Sequence, residues 1–234
     1  MAPHIVTAFD DELLAIHARI VEMGGLAEEL LSHALEAVET RNASLAEEVI
    51  GRDKRLDFLE GEVERLTVEM LALRQPMAQD LRFLVAALKL STVLERIGDL
   101  SKNIAQRSKA LAAARRINLS SSIVRMGQQT AEQLNEVLDA YTSRDTALAV
   151  AVWRRDVEID EFYNSLFREL VTYMMEDPRV IGLGSQLLFI AKNLERIGDH
   201  TTHIAELIYY IVEGSKLDDD RPKGEPLSLD GILG

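Results

Sequence analysis

Apolar residues between positions 45 and 73 recur at the spacing of one face of an α-helix. From Leu56 onward the steps alternate between three and four residues, which is typical of a helix in a coiled-coil-like bundle. Short polar breaks divide the rest of the chain into comparable stretches, so the pattern predicts six long antiparallel helices. Their predicted bounds are residues 9–40, 44–75, 76–113, 123–141, 146–175 and 179–212.

Residues that favour helix ends mark most of these breaks. Ser44 begins a capping-box pattern at the second helix. Pro76 and Pro178 suit the first position of the third and sixth helices, and Asp177 is a good N-cap for the sixth. Gly214 fits a C-terminal stop, because glycine readily adopts the left-handed backbone of a helix end.

One acidic motif occurs twice in the chain. The pentapeptide Glu-Arg-Ile-Gly-Asp stands at residues 95–99 and again at residues 195–199. Upstream of each copy lies a pair of acids four residues apart, a spacing that puts both carboxylates on one helix face. The two pairs are Asp53 with Asp57, and Asp156 with Asp160. The offset between the halves is 103 residues at these pairs and 100 at the pentapeptide, which indicates a duplication with a shorter second hairpin loop.

The duplication predicts an all-α fold of two tandem three-helix bundles. The first bundle covers residues 8–114 and the second covers residues 123–214, with a linker over residues 115–122. Residues 215–234 contain charged residues, Pro and Gly, and we expect them to form a mobile tail.

The acidic pairs are placed symmetrically about the prolines. Asp53 and Asp99 are equally distant from Pro76, and so are Asp57 and Glu95. The corresponding acids of the second half are centred beside Pro178. If the chain folds back at each proline, the acids of neighbouring helices meet at the same level. Carboxylates gathered in this way repel one another unless a cation or protons intervene.

These positions predict a metal site in each half. The candidate ligands of the first half, here called the first acidic cluster, are Asp53, Asp57, Glu95, Asp99 and Asn103. Those of the second half, the second acidic cluster, are Asp156, Asp160, Glu195, Asp199 and His203. Oxygen ligands favour Mg, Ca, Mn or Fe, and the imidazole makes Fe, Mn or Zn more credible in the second cluster.

Two further observations bear on this interpretation. Gly98 and Gly198 lie inside the motif helices, where glycine costs about 1 kcal/mol relative to alanine, so we expect a backbone or a ligand to approach closely there. The competing interpretation is an ordinary solvated helix face, with Arg96 and Arg196 forming salt bridges to nearby acids.

Composition narrows the class of protein. The net charge of -13 disfavours binding to nucleic acid or to an anionic membrane surface. The chain has no cysteine, which excludes disulfides and thiolate metal sites, and it has no apolar run of membrane-spanning length. We find no signal peptide, no phosphate-cradling glycine loop and no Ser/His/Asp nucleophile pattern. We therefore expect a cytoplasmic protein that is not an enzyme.

Several motifs resemble the signature of the PhoU family. They are residues 94–99 and 194–199, residues 74–76 with residues 80–82, and residues 173–179. The resemblance implies two similar three-helix bundles and a cytoplasmic accessory protein that restrains phosphate uptake and the phosphate-starvation response. It also implies contacts with the ATPase of the phosphate ABC transporter and with the phosphate sensor histidine kinase, and often a homodimer.

The resemblance also bears on the metal sites, because some family members bind metal clusters through acidic helix motifs of this kind. Carried over, it assigns divalent or trivalent ions such as Fe, Mn, Zn or Mg to both acidic clusters. His203 stands where the first half has Asn103, so the two sites are expected to differ in metal or affinity.

Two other functions compete with a metal-binding regulator. A carboxylate-bridged di-metal enzyme characteristically carries Glu-x-x-His motifs on core helices, and this chain has none. The nearest arrangement is Asp199-x-x-x-His203. An inert helical spacer would bind no metal, and titration of the metal-free protein with Fe, Mn, Zn and Mg discriminates it from the other two.

Overall fold

The computed structural model describes residues 2–112 and 120–217, with side chains for residues 9–112 and 121–217. Within these ranges the regular structure is entirely helical, as predicted. The α-helices are α1 (Ala2–Thr40), α2 (Ala43–Arg52), α3 (Lys54–Arg74), α4 (Ala78–Ala112), α5 (Ser120–Ser143), α6 (Thr146–Glu176) and α7 (Ile181–Glu213). A short 3₁₀ turn (Pro178–Val180) precedes α7.

The second predicted helix is interrupted at Asp53, which separates α2 from α3. The Leu56 N–H donates to the Asp53 carbonyl at 2.8 Å, a contact three residues apart where an α-helix has four. Asp53 keeps right-handed helical backbone angles, so α2 and α3 continue as one rod with a local tightening. Each half of the molecule therefore contains three rods, and the predicted pair of three-helix bundles is confirmed.

The starts of α2 and α4 differ from their predictions. Asn42, and not Ser44, caps α2, because its side chain accepts hydrogen bonds from the Ser44 and Leu45 amides at 3.0 and 3.2 Å. Pro76 lies before α4, which begins at Ala78. Gln75 adopts a left-handed backbone with φ of 50°, so the chain completes its turn before the helix starts.

The second hairpin and the end of α7 follow the prediction. The Asp177 carboxylate accepts a hydrogen bond from the Arg179 amide at 3.1 Å, and Pro178 opens the 3₁₀ turn. Gly214 ends α7 with φ of 77°. The linker prediction is wrong for residues 120–122, which belong to α5. The rest of the predicted linker and most of the predicted tail are outside the described residues.

The two bundles pack through α4 against α7 and through α1 against α5. Arg82, near the start of α4, lies beside Gly214 at the end of α7. Arg107, near the end of α4, donates a hydrogen bond to Gln186 near the start of α7 at 3.0 Å. The two central helices therefore run antiparallel, and the middle of their shared length is level with Gly98 and Gly198. One apolar core crosses both halves.

Candidate functional site at the two acidic clusters

Asp53 reaches α4 at the position of Gly98. The Asp53 residue is 3% exposed, and a Cβ added at Gly98 would lie 3.4 Å from Asp53 Oδ1 and 2.3 Å from Leu56 Cδ1. The close approach expected at Gly98 is therefore present, and protein side chains make it. Any larger residue at Gly98 would have to displace the Leu56 side chain.

Lys102 joins the acids of the first acidic cluster. Its Nζ donates to Asp53 Oδ2 at 2.5 Å and to Asp99 Oδ1 at 2.8 Å. The meeting of Asp53 with Asp99 that the symmetry about Pro76 predicts is thus found, with an ammonium group between the two carboxylates. Lys102 is not among the residues predicted for this site, although its position three residues after Asp99 is a recognisable ion-pair spacing.

The remaining members of the first acidic cluster lie at its edge. Asp57 is exposed in the first turn of α3, and Asn103 is half-buried on α4. Glu95 is close to Asp99 and to Arg96, whose Nε lies 3.7 Å from Glu95 Oε2. The structure therefore brings Asp53, Asp99 and Glu95 to one place, but leaves Asp57 on the solvent face.

Burial and charge shift the protonation of this cluster. Burial raises the pKa of Asp53, and the Lys102 ammonium opposes that rise. Burial alone would lower the pKa of Lys102, but its hydrogen bonds to Asp53 and Asp99 outweigh this and raise it. Burial, followed by the charge of Asp99, raises the pKa of Glu95 to about 7. The cluster is therefore balanced by a permanent cation and, below neutral pH, by a proton on Glu95.

The second acidic cluster repeats the approach of an aspartate to the motif helix. Asp156 is 1% exposed, and a Cβ added at Gly198 would lie 3.0 Å from Asp156 Oδ1. Thr202 occupies the position equivalent to Lys102 and is buried. Its hydroxyl donates to the Asp199 carbonyl at 2.7 Å, so it adds no charge to the cluster.

Glu195 faces a different cation from the one in the first half. Lys192 Nζ lies 2.7 Å from Glu195 Oε2, so the two side chains form an ion pair. Burial raises the pKa of Glu195, and Lys192 opposes the rise. The Lys192 side chain is 48% exposed, and its ammonium also lies 5.2 Å from the centre of the Tyr163 ring.

His200 and His203 both lie on α7, within or just after the repeated motif. His203 lines a cleft of about 460 Å³ between α4 and α7, together with Val85, Lys89 and Tyr210. Burial, followed by the charge of Arg196, lowers the pKa of the His200 imidazole. Asp160 is half-buried on α6. Among the side chains that the structure describes, no three from His, Asp and Glu are assembled as a metal site.

These features define a class of protein, a duplicated helical-bundle protein. Its paired acidic motifs lie near the middle of the two antiparallel central helices. The PhoU domain model matches residues 20–108 and residues 123–208, one segment in each half. The chain therefore belongs to the PhoU family, and the resemblance carried by the repeated motifs is confirmed. None of its described helices has an apolar stretch that would cross a bilayer.

Relatives and solved structures agree with this assignment. The phosphate-specific transport system accessory protein PhoU homolog of Caulobacter vibrioides is 49% identical, over 97% of this chain and 100% of that protein. The accessory protein PhoU of Escherichia coli is 37% identical, over 90% of this chain and 88% of that protein. The crystal structure of PhoU from Pseudomonas aeruginosa has a TM-score of 0.86 at 36% identity, covering 88% of this chain and 100% of that chain.

Proposed function

We propose that this protein is a non-enzymatic negative regulator of phosphate uptake and of the phosphate-starvation response. It acts in the cytoplasm, as a homodimer, as an adaptor between the ATPase of the phosphate ABC transporter and the phosphate sensor histidine kinase. The observation that carries the proposal is the family match over both halves, together with relatives named as phosphate-transport accessory proteins along nearly their whole length.

The ends of the two helical hairpins support an adaptor role. Leu73 and Met77 at the first hairpin are 77% and 78% exposed, and Met175 and Ile181 at the second are 64% and 48% exposed. Large apolar side chains grouped on a protein surface are typical of protein contacts. The proposal places partner contacts at these two hairpin ends.

Metal binding is the second part of the proposal, with Fe, Mn, Zn or Mg as the ion. The second acidic cluster has the more suitable donors, because the buried Glu195 Oε2 is paired with a half-exposed lysine and Gly198 leaves space for the Asp156 carboxylate. The lysine paired with Glu195 is half-exposed, and such a pair contributes little to stability, so an ion can displace it. Asp160, Asp199 and His203 complete the proposed donor set.

A binding experiment with purified partners tests the adaptor role. The chain is immobilised, and the transporter ATPase and the cytoplasmic part of the kinase are added separately and together. Binding of both is the expected result, and Leu73→Glu with Met77→Glu should weaken at least one of the two contacts. Val68→Glu is the matched control, because Val68 is a 53% exposed apolar residue on the same rod away from the hairpin end.

A cellular experiment tests the direction of regulation. Removal of the gene should raise phosphate uptake and the expression of a starvation reporter in phosphate-replete cells, and the chain supplied in trans should restore both. Failure of the chain to lower either readout, while it is present at normal abundance, contradicts the proposed function.

A further inference from the structure

The ammonium of Lys102 lies where a metal ion of the first acidic cluster would lie. It contacts Asp53 Oδ2 at 2.5 Å and Asp99 Oδ1 at 2.8 Å, so one cation already bridges the carboxylates of two neighbouring rods. We propose that Lys102 is the built-in cation of the first acidic cluster and excludes metal from it. This inference rests on the proposed metal binding, which it restricts to the second acidic cluster.

The burial of these groups makes the lysine difficult to displace. The Asp53 side chain is 4% exposed and the Lys102 side chain 28% exposed, so their contact is largely shielded from water. Removal of one partner from a buried ion pair leaves the other charge uncompensated, which is strongly unfavourable. Lys102 is also held by α4 itself, so its local concentration exceeds that of any dissolved ion.

A metal ion also faces direct electrostatic opposition at this place. A divalent cation between Asp53 and Asp99 would sit within contact distance of the Lys102 ammonium, and like charges at short range repel strongly in a partly buried site. The donor set of the first acidic cluster therefore does not fit a metal while Lys102 is present. Asp57, a predicted ligand, is exposed to solvent in the first turn of α3.

The second half does not repeat the lysine at this position. Thr202 stands at the position of Lys102, and its hydroxyl is engaged with the backbone of α7. One ion pair of the second acidic cluster comes from Lys192, which lies before the motif rather than after it and has a side chain 48% exposed. The duplicated halves thus share their carboxylates but differ in the position of this lysine.

The test removes metal binding at the second acidic cluster, so that metal binding at the first can be measured by itself. In an Asp199→Asn background, Mn²⁺ and Zn²⁺ uptake is measured by equilibrium dialysis and by the shift in melting temperature. With Lys102 intact we expect no uptake that depends on Asp99. Lys102→Met in the same background should gain a metal ion, and a further Asp99→Asn should abolish that gain.

Lys109→Met is the matched control, because Lys109 also lies on α4 and pairs with a carboxylate of α2, Glu47, outside the cluster. It should gain no metal. Uptake by the Lys102-containing background that Asp99→Asn removes would overturn the inference. So would a folded Lys102→Met variant that takes up no metal.

The reverse variant keeps the inference testable if Lys102→Met does not fold. Thr202→Lys should install an internal cation in the second acidic cluster and weaken its metal affinity by on the order of tenfold or more. Unchanged affinity in a folded Thr202→Lys variant contradicts the inference. Absence of uptake by the wild-type protein would count against the proposed metal binding alone, since the Lys102→Met experiment examines the first acidic cluster independently.

Discussion

Leu138 of α5 occupies the space that Gly24 leaves open on α1. A Cβ added at Gly24 would lie 2.8 Å from Leu138 Cδ2, and one at Gly127 would lie 2.2 Å from Leu35 Cδ2. Residues 24 and 127 are equivalent positions of the duplication, and so are residues 35 and 138. The contact between α1 and α5 is therefore made twice, in reciprocal form, which is the pattern of a symmetric dimer interface within one chain.

Alanine at Gly24 or Gly127 should destabilise the protein by about 1–3 kcal/mol, the usual cost of an extra methyl group in a packed interface. Gly25→Ala is the matched control, because nothing lies within 4 Å of its added Cβ. That variant should be stabilised by up to about 1 kcal/mol through helix propensity alone. Urea unfolding measures all three. Equal stability of Gly127→Ala and Gly25→Ala would refute the close packing.

A similar comparison tests the packing of Leu56 against α4. Gly98→Ala should lower the free energy of unfolding by about 1–3 kcal/mol, because its Cβ would meet the Leu56 side chain. Gly61→Ala, on α3 with nothing within 4 Å, should be neutral or stabilising. Thermal denaturation monitored by circular dichroism provides the comparison, and a stabilised Gly98→Ala variant would contradict the geometry.

The bridge between Lys102 and Asp53 should show as energetic coupling. Lys102→Met leaves a buried carboxylate without its cation and should cost about 2–4 kcal/mol in metal-free protein. Asp53→Asn combined with Lys102→Met should cost less than the sum of the single variants, with a coupling energy of about 1–3 kcal/mol. The measurement is a double-mutant cycle of urea unfolding, and simple additivity would argue against a bridged pair.

The raised pKa of Glu95 predicts a pH dependence of stability. Its folded pKa of about 7 exceeds the ordinary glutamate value of about 4.3, so between these limits the folded protein retains a proton that the unfolded chain releases. The contribution to stability is present below about pH 4 and is lost as the pH rises through about 7. The unfolding free energy attributable to Glu95 therefore decreases across this window.

Glu95→Gln checks the sign of this effect in protein treated with EDTA. Glutamine stays neutral, so at pH 8 the variant should melt about 2–4 °C above the wild type. This shift corresponds to about 1 kcal/mol after allowance for the partial exposure of Glu95. At pH 4 the two proteins should melt close together, because Glu95 is then largely protonated in both the folded and the unfolded state. A difference that is the same at both pH values would exclude Glu95 as its source.

Much of the fold follows from local sequence signals. Helical periodicity and the residues at the breaks predict the six rods, and the symmetry about Pro76 predicts which acids meet. The interruption at Asp53 has no such signal, because the surrounding residues favour helix and the break accompanies the burial of Asp53 against α4. The turns at Arg41 and Arg144 also lack a sequence signal, because both arginines adopt a positive φ, which is uncommon for arginine.

The site is predictable to the same extent. Repetition and spacing identify Asp53, Asp99 and Asp156, but a lysine three residues after an aspartate is common on exposed helices. Whether the Lys102 ammonium turns inward depends on the depth of Asp53, which only the packing of α2 and α3 against α4 decides. Asp57 shows the converse, because it lies one turn beyond Asp53 on the same rod and yet remains exposed to solvent.

The antiparallel course of α4 and α7 determines how the molecule meets its surroundings. Because one central helix begins where the other ends, the two hairpin tips point in opposite directions. α4 contains 35 residues, so the tips are separated by roughly 50 Å at a rise of about 1.5 Å per residue. The molecule therefore presents one exposed apolar hairpin tip at each end of its long axis.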